Sequence, residues 1–254
     1  MRNIFRRATL LVALLSIFSG CSPAAKKLER MSPVQLNALS PGIHQQELPL
    51  PKGKHKLRYT ISVPAEYDGQ KKVPLVLALH YGGEVTPFYG RGVIEGLFGP
   101  GLKHIQPIIV APDSLRGDWT TPENEQAAIF LIQSIQKTYQ VDETRVLVAG
   151  FSMGGEGTWH IGGRNQDVFT AAMPVAGSPG KQKEWEIPIY AIHSTSDGVI
   201  PIQPTETRMR ELEKQGKTVK FRRLTGISHF DTNRFTPAVR EGAEWLEETW
   251  GGNH

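Results

Sequence analysis

Arg145-Val146-Leu147-Val148-Ala149-Gly150-Phe151-Ser152-Met153-Gly154-Gly155 carries a continuous apolar run into a serine set between glycines. A run with no polar alternation suits a strand buried on both faces of a parallel sheet. Glycine stands two residues before and two residues after Ser152. That spacing frees the backbone for a sharp turn which bulky neighbours would block. The segment therefore predicts a strand, a strained turn at Ser152 and a helix starting immediately after it. Such a turn lifts the Ser152 hydroxyl over the end of the sheet and aims the first N–H groups of the helix at the same point.

The rest of the chain supplies a sheet for this unit. Tyr59 to Val63 alternates as a strand does, and apolar runs recur at Val73 to Leu79, Pro107 to Ala111, Ala171 to Val175 and Ile187 to Ile192. Helix-face spacing appears between and after them. It places Ala128, Leu131, Ile132 and Ile135 together within Glu123 to Tyr139, Met209 with Leu212 within Thr205 to Gly216, and Val239, Ala243 and Leu246 within Ala238 to Trp250. Alternating strands and helices predict one α/β domain, with a mostly parallel central sheet and helices on both faces.

In this context Gly150 to Gly154 resembles the nucleophile elbow of α/β-hydrolases, whose chain order is serine, acid, histidine. A serine hydroxyl is a weak nucleophile and needs a positioned base. Of the eight histidines, His193, His229 and His254 come late enough in the chain. His193 ends an apolar strand run and suits a strand-end role; His254 closes a glycine-rich tail. His229 lies in the loop Gly226-Ile227-Ser228-His229, after the apparent strand Val219 to Leu224, and is the expected base. Among the intervening acids, Asp197 follows directly at the carboxyl end of a strand, where open-sheet enzymes place their chemistry. It is expected to hold the His229 tautomer and to stabilise the imidazolium.

His80-Tyr81-Gly82-Gly83 follows the run ending at Leu79 and resembles the HGGG-type loop of esterases. An oxyanion hole would then use the Met153 N–H and a second N–H from Gly82 or, alternatively, Tyr81. Asp113, Trp119 and Trp159, near strand or elbow ends, are candidates to line the substrate. Val85 to His104, rich in glycine and aromatics, is either a small lid or a packed connecting segment. No histidine spacing suggests a metal site, and no cofactor is expected.

The composition sets the envelope. A chain of 254 residues, 39% of them hydrophobic, can bury a core without a disulfide or metal staple. One cysteine excludes a disulfide framework and a thiolate-rich zinc site. Arg2, Arg6 and Arg7 precede an uncharged, mainly apolar run of 11 residues, Ala8 to Phe18. That run is shorter than the roughly 20 residues a membrane span needs, and it suits a secretory signal. Phe18-Ser19-Gly20-Cys21 resembles the lipobox of bacterial lipoproteins. The resemblance implies cleavage before Cys21, lipidation of that cysteine and a membrane-anchored location at the cell envelope, facing the periplasm or exterior. Loss of the signal removes three of the 29 basic residues and leaves 26 against 25 acidic ones. The pI near 9.1 is thus largely a property of the leader, and it gives no argument for a nucleic-acid partner. The expected organisation is a signal peptide over 1–20, a lipidated Cys21 with tether and lead-in over 21–51, and an α/β-hydrolase domain over 52–254.

Val141 to Trp159 is very similar to exported α/β-hydrolases of the phospholipase/carboxylesterase and "predicted peptidase" branch. Phe169 to Gly177, the Asp197 segment and Gly226 to His229 extend the likeness over about Leu57 to Glu248. The resemblance implies a serine ester hydrolase that works through an acyl-enzyme, with Ser152, Asp197 and His229 as its triad and a small-molecule or lipid-like ester as substrate. A serine peptidase of the same fold, or a non-catalytic binding protein built on it, are the alternatives.

Overall fold

The computed structural model describes residues 30–51, 55–182 and 184–251. The stretch expected to be a signal peptide and lipobox, with Cys21, and His254 lie outside the described residues. Among the described residues, eight strands make one sheet: β1 (Gly42–Pro49), β2 (Lys56–Val63), β3 (Val73–Leu79), β4 (Ile108–Pro112), β5 (Val141–Phe151), β6 (Ala171–Val175), β7 (Ile189–Ser194) and β8 (Val219–Leu224). Their order is β1-β2-β4-β3-β5-β6-β7-β8. β1 and β2, and β2 and β4, pair antiparallel, while every pairing from β4 onward is parallel.

The apolar runs form strands because both sheet faces are covered. In β3, Leu75, Leu77 and Leu79 join the core formed with α3 (Pro122–Thr138), α4 (Met153–Arg164) and α5 (Gln203–Lys214). Val76 and Ala78 join the opposite core, under residues 93–105 and α6 (Thr236–Gly251). Each such fully buried aliphatic side chain contributes about 1.5–3 kcal/mol. The first turn of α3 is fixed locally: Thr121 accepts from the Asn124 N–H at 3.4 Å and Pro122 sets the entry angle.

The stretch from Val85 to His104 is a packed connecting segment. Its helical turns, α1 (Arg91–Val93), the π-helical Ile94–Phe98, α2 (Gly99–Leu102) and the 3-10 turn Lys103–Ile105, bury Val93, Ile94, Leu97, Phe98 and Leu102. A Cβ on Gly101 would come 2.5 Å from Val239 Cγ1, so α2 rests directly on α6.

The expected tether and lead-in needs correction over its described part, because residues 30–51 belong to the folded domain. β1 pairs with β2 along its whole length, from Gly42 opposite Val63 to Pro49 opposite Lys56. Upstream of it the chain is stitched to the amino edge of the sheet. Arg30 bonds Asp167 at 2.7 Å and Asn165 at 3.3 Å, beyond the end of α4. The N–H groups of Val34, Leu36 and Leu39 donate to Ser134, Thr138 and Tyr139 at the end of α3.

α3 and α4 are joined by a buried carboxylate. Glu125 accepts from His160 Nε2 at 3.2 Å, Arg164 Nε at 2.9 Å and Asn165 Nδ2 at 2.9 Å. Burial alone would raise its pKa, but the hydrogen bonds from His160 and Asn165 and the Arg164 charge outweigh that and hold it below the ordinary glutamate value. Glu125→Ala leaves these partners without their acceptor, and is expected to lower the unfolding free energy by about 2–4 kcal/mol at pH 7. A carboxyl depressed by folding adds stability that is complete above its unfolded pKa, about 4.3 for glutamate, and that vanishes as the pH falls through the folded value. Urea titrations of both proteins should therefore show a gap at pH 7 that narrows steadily below about pH 4.

Candidate active site

The carboxyl ends of the parallel strands bring the expected residues together. β5 delivers Ser152, the turn after β7 carries Asp197, and the loop after β8 carries His229. Ser152 sits at φ 58° and ψ −120°, a conformation that costs a non-glycine residue about 1–3 kcal/mol. The surroundings enforce it. The Ser152 N–H donates to Val175 O at 2.9 Å. A methyl group on Gly150 would collide with the Gly154 carbonyl, and one on Gly154 with the Leu79 carbonyl. These two contacts are the reason glycine brackets the serine.

Ser152 Oγ lies 2.7 Å from His229 Nε2, and His229 Nδ1 lies 2.7 Å from Asp197 Oδ2. A carboxylate only accepts, so Nδ1 carries the imidazole proton and Nε2 presents its lone pair to the serine hydroxyl. The Asp197 side chain is fully buried. Its Oδ1 accepts from the N–H groups of Val199 at 2.9 Å and Ile200 at 2.8 Å. Burial works to raise the Asp197 pKa, yet the hydrogen bond from His229 and those from Ile200 and Val199 prevail, and the net shift is downward. Asp197 is therefore a carboxylate at neutral pH.

Met153 opens α4, so its N–H has no acceptor within the helix. Gly82 lies beside it: a Cβ on Gly82 would stand 3.9 Å from Met153 Cβ. The loop carrying Tyr81 and Gly82 is braced from below by His80, which is fully buried. The Ser114 N–H donates to His80 Nε2 at 3.0 Å, which leaves Nδ1 to donate to Tyr81 O at 2.7 Å. Burial pushes the His80 pKa down, more than the Tyr81 carbonyl and the Asp113 charge raise it.

Three expected substrate-lining residues are corrected. Trp119 is 1% exposed and Trp159 is 2% exposed. Trp119 Nε1 donates to His80 O at 2.9 Å, and its ring packs edge-on to His80. Trp159 packs against Trp185 on the same core face. Both rings are spent on packing and offer no surface to a ligand. Asp113 is buried as well: it accepts from the Phe88 N–H at 2.8 Å and the Gly90 N–H at 3.3 Å, and pairs with Arg58 at 3.2 Å. It clamps the segment in which Phe88 is held at φ 63°. A cavity of about 620 Å³ is lined by Arg58, Asp113, Leu115 and Ala127, among others, and by none of Ser152, Asp197 and His229.

The sheet order, the helices on both faces and a strand-to-helix turn bearing the serine define an α/β-hydrolase. Within that class, the chain belongs to the dienelactone hydrolase family, whose model matches residues 112–250. Among curated relatives it is 26% identical to "Probable feruloyl esterase C" of Aspergillus terreus over 151 residues, covering 57% of this chain and 56% of that protein. It is also 26% identical to the protein of the same name from Aspergillus niger over 208 residues, covering 79% of this chain and 71% of that one. A solved thermostable esterase superimposes with a TM-score of 0.70 at 24% identity, over 81% of this chain and 62% of that one. The chain thus spans little more than half the length of the Aspergillus terreus relative.

Proposed function

We propose that this protein is a serine hydrolase that cleaves carboxylic esters through an acyl-enzyme, and that it is exported and held at the cell envelope through a lipidated Cys21. The observation that carries the catalytic reading is the continuous relay Ser152 Oγ–His229 Nε2, His229 Nδ1–Asp197 Oδ2, with 2.7 Å at each step. Ser152 Oγ attacks the ester carbonyl carbon as its proton passes to His229 Nε2. Asp197 holds the resulting imidazolium. Charge developing on the carbonyl oxygen is met by the Met153 N–H and by an N–H of Gly82 or Tyr81, each donor contributing about 3 kcal/mol. The bond to the leaving alcohol breaks, and His229 returns the proton to that oxygen. Water, deprotonated by the same nitrogen, then releases the acid and restores Ser152.

Esters of small molecules are the substrate class, and the names of the Aspergillus relatives make a feruloyl ester the first one to try. The full chain is expected to hydrolyse p-nitrophenyl acetate and methyl ferulate, and to react with a fluorophosphonate probe at Ser152. A protein that ignores the probe would be a binding protein on this fold. One that cleaves a peptide amide faster than the matched ester would be a peptidase.

A further inference from the structure

Asp197 meets a second imidazole that this relay does not use. His193, near the end of β7, is fully buried. Its Nε2 lies 3.0 Å from Ile200 O and 3.4 Å from Asp197 Oδ2, and its Nδ1 lies 3.1 Å from Thr205 Oγ1. A carbonyl and a carboxylate can only accept, so Nε2 carries the proton and donates it to Ile200 O, with Asp197 Oδ2 close beside. Nδ1 faces the Thr205 hydroxyl, whose single proton also has Gly177 O within reach at 3.3 Å, so the acceptor at Nε2 sets the tautomer and Thr205 on α5 anchors the ring. The same turn is gripped from the other side, because the Ile200 N–H donates to Asp197 Oδ1 at 2.8 Å. His193 therefore holds the carbonyl of the residue whose N–H holds the carboxylate, and also faces the carboxylate oxygen that His229 uses.

We infer that His193 is a positioning residue of this site: its Nε2–H keeps the turn 197–200 set so that Asp197 Oδ2 stays aimed at His229 Nδ1, and Thr205 anchors the ring in the orientation that makes this possible. The burial of a histidine here is otherwise unrewarded, since an apolar side chain would fill the space without the desolvation cost. Its pKa is pushed down by burial, against the Ile200 carbonyl and the Asp197 charge, which suits a neutral donor.

The kinetic part of the test rests on the serine-hydrolase reading; the spectroscopic part does not. His193→Gln keeps an N–H at the Nε2 position, whereas in His193→Asn the amide reaches only as far as Nδ1. Both variants, with the wild-type full chain, are to be compared by the low-field proton resonance of the His229 Nδ1–H···Asp197 Oδ2 bond, by kcat and KM on p-nitrophenyl acetate, and by Tm. His193→Asn should lose the resonance to exchange and lower kcat about tenfold to a hundredfold, with KM within about twofold. His193→Gln should keep the resonance and stay within about threefold of wild-type kcat. Thr205→Val, close in shape and unable to donate, should broaden the resonance in the same sense. A folded His193→Asn with the wild-type resonance and kcat overturns the inference, as does equal impairment of the Gln and Asn variants. Should His193→Asn fail to fold, an unaltered resonance in Thr205→Val overturns it. If no protein, wild type included, cleaves ester while the resonance still responds, the functional reading falls and the positioning role stands.

Discussion

Ser152→Ala is expected to lower kcat for ester hydrolysis about a millionfold, the scale seen when a serine nucleophile is removed from a working triad. The fold should not notice. The strain at φ 58° belongs to the backbone, and alanine carries the same Cβ as serine. The bond from the residue 152 N–H to Val175 O and the close approach of Gly154 to Leu79 involve main chain alone. His229 Nε2 loses its partner, but the bond from Nδ1 to Asp197 is untouched. Matched Tm values together with kcat on p-nitrophenyl acetate decide the matter. A well-folded variant that keeps even about 1% of the wild-type rate would remove Ser152 from the reaction.

Asp197→Asn should lower kcat about ten-thousandfold, through the tautomer of its neighbour. Oδ1 is committed to the N–H groups of Val199 and Ile200, so an asparagine must keep its carbonyl oxygen there. Its amide nitrogen then occupies the Oδ2 position and points a donor at His229 Nδ1. The imidazole answers by carrying its proton on Nε2, where it faces the serine hydroxyl and can no longer accept. Geometry is retained and the base is lost. The loss should appear in kcat, with KM changed less than about threefold. A fall confined to KM would mean that Asp197 serves binding.

Much of this architecture is legible in the residues, and the exceptions have physical causes. β3 and the second half of β5, from Val146 to Phe151, announce themselves because both faces are covered and no position is polar. β1 does not: of its eight residues only Leu48 is buried, and the strand exists through main-chain pairing with β2 that no composition reveals. Ser152, Asp197 and His229 can be singled out because each follows a recognisable strand end. Trp119 and Trp159 mislead for the converse reason. Closeness along the chain does not say which way a ring points, and Trp159 lies two turns down α4, about 10 Å from the elbow along the helix axis. His193 reads as one more buried strand residue, since its bond to Ile200 depends on a turn that bends the chain back seven residues later.

The stitching of Arg30 to Asn165 and Asp167 decides how the molecule can be held. These partners lie on the loop that enters β6, at the rear of the sheet, whereas Ser152 stands at its front. A surface or fusion module joined at Arg30 itself therefore meets the protein from behind and leaves Ser152 on the side turned away from it. Immobilisation at that point should leave Ser152 accessible, while attachment at the exposed Phe230, beside His229, would crowd it.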